Sequence, residues 1–469
     1  MIAQTAEAQV PVPFAGAGAG AAPLTWGQKA IMQDMRETGW THNVSGAHPV
    51  PAGATVEQMA AELADLMARH PALRMRLGVD DRGGPCQVVS GSGETVLDVV
   101  DVPDDADPAD VAAFAYQLGH ARLLAPYDLY RDWSVRMAVV RHRGALVHRV
   151  LTFDHLVVDG TATSLLLADL GLAEPAVRRA RDPRTVQILD LGRREATPPL
   201  QRVSDRAVRH WAAHLRSIPP LTFGAPTAGG RQGHRYWHGR FSSPAAYLAV
   251  RAIARRTRTD TSRVLLAVIA VAIGRATGVS PLTAKLIVGN RFRPGFAEAI
   301  APLSQNGVLT VDTAGATVDE VVARARRASV TAGMYAYYDP VGLTDLEARL
   351  DAERGYPARV TCRINDRRVT TRAAADGGVR DEPVTVEAVR RKADETFLVW
   401  DGPLDHLHEQ VFLTVEDQPD TVFLQVIFDF ACFTEARAER LLRGVEEVAV
   451  EAAFDAAAPT RVTPGSTGG

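Results

Sequence analysis

Lysine is nearly missing from this chain. It occurs only at Lys29, Lys285 and Lys392, so arginine carries almost all the positive charge. That bias points to a GC-rich coding genome and leaves few groups for Schiff-base chemistry. Cysteine is as scarce. Cys86, Cys362 and Cys432 stand far apart, cannot all pair, and form no C-x-x-C spacing. This excludes a clustered-cysteine metal or redox centre and fits a reducing cytoplasm. The longest apolar run, 264–273, is too short to span a bilayer and reads as a buried core helix. The net charge of -3 gives no general pull toward nucleic acid or anionic membrane, so neither is an expected partner. There is no G-x-S-x-G elbow, P-loop or dinucleotide fingerprint. No metal is expected either: His406 and His408, close to Asp405 and Glu409, read as a surface turn without a third ligand. His234 and His238, flanking Tyr236-Trp237, read as strand-edge residues.

A chain of 469 residues with 46% hydrophobic and 23% charged residues is a soluble globular protein of at least two lobes. Residues 1–22 lack a basic n-region and run through Glu7, Pro11, Pro13 and a Gly/Ala repeat; they read as a flexible tail, not a signal peptide. A first lobe is expected over 23–180, a linker over 181–202, a second lobe over 203–457 and a flexible tail over 458–469. Helices are predicted from Thr25, from about Thr55 to His70, and through Phe114 and Leu118. The runs 135–140 and 146–153 predict a hairpin, and a helix follows from about Thr161. In the second half, helices through Trp211, after Ser243-Pro244 and through Leu441 alternate with strands near Tyr236–Phe241, Leu286–Val288 and Val422–Phe428. The strand at Leu286–Val288 is expected to be buried. Residues 373–392 are polar and Gly-rich and predict a mobile loop. The fold class is α/β or α+β.

The hairpin's second strand stops at Asp154-His155-Leu156-Val157-Val158-Asp159-Gly160. A histidine between strand and helix is held rigidly, and a neutral imidazole there accepts a proton from an attacking amine or hydroxyl. Asp159 is placed to bond its own backbone or an arginine. Gly160 is expected to supply turn dihedrals that a side chain would disfavour. Asp154 is expected to raise the pKa of His155 if the two approach.

This stretch resembles the H-H-x-x-x-D-G core motif of nonribosomal peptide synthetase condensation domains and the wider chloramphenicol-acetyltransferase-like superfamily. Further similarities follow in family order. Pro23-Leu24-Thr25-Trp26-Gly27-Gln28 resembles the opening P-L-T/S-x-x-Q. Arg69-His70-Pro71-Ala72-Leu73-Arg74 resembles R-H-x-x-L-R, with Gln87-Val88-Val89 after it. Tyr127-Asp128-Leu129 and Arg136 resemble F-D-L and its following arginine. Trp211 and Leu215 match the linker helix, Val288-Gly289-Asn290-Arg291 the strand ending in N-R, and Gln305-Asn306-Gly307-Val308-Leu309 the F-V-N-T-L segment. Phe433 and Leu441 match the closing pattern. The resemblance runs from about Pro23 to Ala453.

The resemblance implies two acetyltransferase-like lobes in a V with an interface tunnel, and a free-standing acyltransferase forming an amide or ester. A carrier protein acting in trans would present the donor on its phosphopantetheine arm. The acceptor would be a small molecule or carrier-bound, and no bound cofactor is implied. His155 would be the central residue, orienting or deprotonating the nucleophile or steadying the tetrahedral intermediate. Asp159 would pair with an arginine, Arg291 by best match and Arg293 as the alternative. Asn290, Gln305 and Asn306 are candidates for lining the tunnel. One departure stands out: the family's first histidine is Asp154 here. Two other readings remain open, an acyl-CoA-dependent transferase and a non-catalytic recruitment platform. Plant-type acyl-CoA users carry D-F-G-W-G where this chain has Asp429-Phe430-Ala431-Cys432-Phe433.

Overall fold

The protein is described by a computed structural model covering residues 6–39, 41–172, 184–226, 230–357, 359–368, 384–404, 407 and 409–463. It is mixed α/β, as expected, and divides into two compact units. The first holds residues 1–203, 289–305 and 339–341; the second holds 204–288, 306–338 and 342–469.

In the first unit, β1 (Ala6–Ala15) and β2 (Gly20–Pro23) precede α1 (Trp26–Thr38), β3 (Asn43–Pro49) and α2 (Val56–Arg69). Then come β4 (Met75–Val79), β5 (Pro85–Val89), β6 (Ser92–Asp101), α3 (Pro108–Leu124), β7 (Val135–His142) and β8 (Ala145–Asp154). Helices α4 (Gly160–Asp169) and α5 (Ile188–Glu195) complete it. The main sheet has the order β1-β6-β7-β8-β3, antiparallel except for the parallel β6–β7 pair. A smaller antiparallel sheet has the order β2-β5-β4.

The sequence signals at helix starts act as capping chemistry predicts. Thr25 and Gln28 form a reciprocal capping box at α1, and Thr55 and Gln58 repeat it at α2. Gln87 Nε2 donates to Pro23 O (2.8 Å) and Ile188 O (3.1 Å), tying the opening segment to α5. The fully buried Arg74 donates to Met67 O (2.8 Å), Ser90 O and Ala17 O. The motif residues Arg74 and Gln87 are thus backbone braces.

Three boundaries differ from expectation. Of the expected tail 1–22, residues 1–5 lie outside the described residues and the rest is not loose: β1 pairs residue by residue with β6 from Ala6↔Asp101 to Ala15↔Ser92. The alternation of buried Val12 and Phe14 with exposed Pro11 and Pro13 is a half-buried edge strand. The edge position is what tolerates the prolines, whose missing N–H groups need no second partner. Within 181–202, residues 181–183 lie outside the described residues, while α5 buries Ile188, Leu189 and Leu191 in the first unit. At the other end, Ala458 O accepts from Val318 N (2.9 Å) and Thr460 N donates to Ala316 O (2.8 Å), so the chain stays pinned through Val462. Residues 464–469 lie outside the described residues.

The second unit follows α6 (Pro198–Leu215) with β9 (Tyr236–Ser243), α7 (Pro244–Thr257), α8 (Thr261–Thr277), β10 (Leu282–Val288), β11 (Gln305–Val311), α9 (Val318–Met334) and α10 (Pro340–Arg354). Then come β12 (Cys362–Asp366), α11 (Val386–Ala393), β13 (Phe397–Leu404), β14 (Val411–Glu416), β15 (Val422–Asp429) and α12 (Glu435–Phe454). Its sheet has the order β11-β10-β12-β14-β15-β9-β13. The run from Val264 to Ile273 is buried on every side of α8, which explains its lack of amphipathic period. Leu286–Val288 is only half-buried, contrary to expectation. β9 lies between β15 and β13 and is no edge, so His238 is an inner-strand residue, 3.0 Å from Asp401. Of the predicted mobile loop, 373–383 lies outside the described residues and α11 is ordered helix. Asp405, His406 and His408 also lie outside the described residues. Among the described residues no helix is long and apolar enough to cross a membrane.

If β1 belongs to the core sheet, Phe14→Ala removes a buried ring that meets Trp133 edge-on at 4.9 Å. Its expected cost is about 3 kcal/mol. Urea unfolding of the full chain measures it; an unchanged midpoint would make β1 the tail first expected.

Candidate active site

β8 runs between β7 and β3 and ends at Asp154. The chain then turns sharply. Leu156 N donates to Asp154 Oδ1 (2.9 Å) and Val157 N to Asp154 O (3.1 Å), a side-chain-reinforced turn. His155 sits at its apex, its N–H donating to His42 O at 3.1 Å. Asp159 closes the loop as N-cap of α4, its Oδ1 accepting from Ala162 N at 2.9 Å.

The same carboxylate gathers a distant segment. Arg291 Nη2 donates to Asp159 Oδ1. Oδ2 accepts from Leu303 N (3.1 Å), Ser304 N (3.1 Å) and Ser304 Oγ (3.0 Å). Arg291 spends its other nitrogen on Phe296 O (3.1 Å) and Ala299 O (2.5 Å). A buried carboxylate is costly unless paired, and this one is paired on both oxygens. Arg293 instead donates its Nε to Asn290 Oδ1 (3.0 Å). Asn290, in a left-handed conformation at φ 57°, donates to Leu303 O (2.9 Å), so its amide braces the loop from inside. Gln305 opens β11 and is buried; Asn306 is half-buried, its Oδ1 without a hydrogen-bond partner among the described residues.

Two expectations about the motif need correction. Gly160 has no left-handed φ, and a Cβ there would meet open space. It is simply the exposed first residue of α4, where helical dihedrals suit any residue. Asp154 does not raise the pKa of His155. Burial pushes the Asp154 carboxyl itself up to about 6, against the Leu156 hydrogen bond and the charges of Arg136 and His42. His155 is lowered, first by burial; the charge of Asp159 opposes this and that of His42 adds to it. The His155 Nδ1 is buried with no hydrogen-bond partner among the described residues. Its ring is therefore neutral near pH 7 and able to take up a proton.

Upstream, Tyr127 OH donates to Thr152 O (2.9 Å), and Arg136 stacks over the Tyr127 ring at 3.8 Å while donating to Asp132 (2.8 Å). Nothing in the chain's motifs pointed to His42 and Asp34. The His42 ring meets that of His155 edge-on, centroids 6.4 Å apart, and its Nε2 lies 2.6 Å from Asp34 Oδ2. Neither belongs to a recognisable motif; the β3–β8 pairing brings His42 here, and Asp34 reaches it from α1.

Residues 19–354 match the Condensation domain family. The chain belongs to the condensation-domain family. Its sequence is 24% identical over 288 residues to nonribosomal peptide synthetase kk1B of Curvularia clavata, covering 59% of this chain but only 2% of that synthetase. In structure it is similar to the condensation domain of the monacolin K polyketide synthase MokA. That match has a TM-score of 0.69 at 15% identity and covers 95% of this chain and 100% of that one. The X-domain from teicoplanin biosynthesis matches at a TM-score of 0.66 and 18% identity, covering 96% and 99%. The architecture is thus the chloramphenicol-acetyltransferase-like fold of condensation domains, and membership of the family supports a condensation-type role.

Two predictions follow from the loop. Asp154's folded-state pKa lies above its ordinary 3.8, so its contribution to stability is complete below about pH 4 and is lost as pH rises through about 6. Asp154→Asn keeps the acceptor for Leu156 N and should gain up to about 3 kcal/mol over the parent at pH 8, with no gain at pH 4. Denaturant melts at both values test this, and a gain independent of pH would refute it. Gly160→Ala should leave the fold intact and stabilise it by about 0.5 kcal/mol; a loss above 1 kcal/mol would mean that glycine is sterically required.

Proposed function

We propose that this chain joins a carrier-bound acyl or aminoacyl thioester to an amine or alcohol acceptor, with His155 as the central residue. The observation that carries the reading is the ring itself: neutral by burial and fixed at a turn whose two aspartates are both bonded into the frame. The phosphopantetheine arm of the carrier is substrate here.

In the proposed reaction the acceptor's nitrogen or oxygen attacks the thioester carbonyl carbon. His155 takes the proton that the nucleophile sheds. The C–N or C–O bond forms, the tetrahedral intermediate collapses, and the C–S bond breaks. The sulfur leaves with the electron pair and recovers the proton, so the free thiol and the amide or ester are the products. A lowered imidazole pKa favours the empty, proton-accepting ring at the start of each cycle.

Asp159 and Arg291 lie beneath the loop and face each other, so they act through the position of His155. Family membership supports the condensation-type role, and the intact histidine supports catalysis over recruitment.

His155→Ala should lower transfer from a loaded carrier by at least about a hundredfold with the fold retained, as followed by intact-mass detection of acyl loss from the carrier. Full activity in that variant would end the proposal. Parallel acyl-CoA donors separate the donor classes, and tight partner binding without turnover of either donor would make the chain a recruitment platform.

A further inference from the structure

The family's first motif histidine is replaced by Asp154, yet a second imidazole still stands beside His155. It comes from the residue that leads into the neighbouring strand. Asp154 pairs across the sheet with Asn43, the first residue of β3, and His42 immediately precedes it. The main chain there is held on both sides: His155 N donates to His42 O (3.1 Å), and Asn43 Nδ2 donates to Ala125 O (2.7 Å). The His42 ring lies edge-on to His155, and its Nε2 lies within ion-pair distance of Asp34 Oδ2 on α1, at 2.6 Å, without a hydrogen-bond geometry.

We propose that His42, held by Asp34, is the positioning residue for His155, supplying from the residue before β3 the imidazole that the motif lacks. The inference rests on His155 being the central residue.

The need for such a neighbour is physical. No group among the described residues bonds His155 Nδ1, so no hydrogen bond fixes the ring's rotation or tautomer there. The edge of His42 does part of that work by contact, and its charge disfavours imidazolium on His155. The other charges acting on His155 are Asp159 from the loop and Asp34 from α1, and Arg291 pairs with Asp159. Asp154 spends its carboxylate on Leu156 N.

The test needs no substrate, so it fails or succeeds independently of the acyl-transfer reading. The full chain is labelled with ring-¹⁵N histidine, and the His155 nitrogens are followed through a pH titration in the parent, His42→Phe and Asp34→Asn. His42→Phe keeps a ring but removes its charge. The His155 midpoint should then move to higher pH, with a changed Nδ1–H to Nε2–H ratio. Asp34→Asn removes a negative charge and frees His42, so the midpoint should move to lower pH. A merely structural role predicts no such opposed pair of shifts. Unchanged His155 titrations in both variants overturn the proposal. Should His42→Phe fail to fold, Asp34→Asn decides alone, and a midpoint that does not fall counts against it.

Discussion

A single buried carboxylate organises the first unit. Asp159 caps α4 through Oδ1 and takes Arg291 on the same oxygen, while Oδ2 collects Leu303 N, Ser304 N and Ser304 Oγ. Taking a carboxylate out of water costs several kcal/mol, and only a full set of donors offsets it. The loop carrying His155 therefore cannot drift unless the segment 289–305 drifts with it. This is why residues so late in the chain group with the first unit, not with the strands on either side of them.

The division of labour between the two motif aspartates follows. Asp154 shapes the turn before the histidine and Asp159 anchors the turn after it. Burial lowers His155 between them, while the motif's outer residues, Gln28, Arg74 and Gln87, hold backbone segments that strands and helices leave unpaired. Much of what makes the family's sequence pattern recognisable is thus scaffolding, with one imidazole at its centre.

Local signals were legible because their causes are local. Thr25 and Thr55 announce helices since a hydroxyl three residues before a glutamine closes a capping box, and the 135–153 hairpin shows in its apolar runs. The Asp159–Arg291 pair was reachable only through family likeness, for nothing in the spacing of residues 132 apart predicts contact. β1 was misread because proline, glycine and alanine suggest disorder, and the Val12/Phe14 alternation is short; its pairing with β6 outweighs composition. Gly160 misled in the opposite direction, since a glycine after aspartate usually marks a turn and here merely begins a helix. His42 and Asp34 left no trace in sequence because sheet register brings the one and the packing of α1 the other to the site.

The sequence separation of that ion pair also bears on the order of events at the ribosome. When α4 emerges, Asp159 has only its own helix N-terminus for company, and its main salt-bridge partner is 132 residues away from being made. At translation speeds of about 5–20 residues per second, that is roughly 7–26 seconds. Throughout that interval the nascent first unit holds a carboxylate whose donors are not yet made, so the loop carrying His155 is completed only after residues 291–304 have been synthesised.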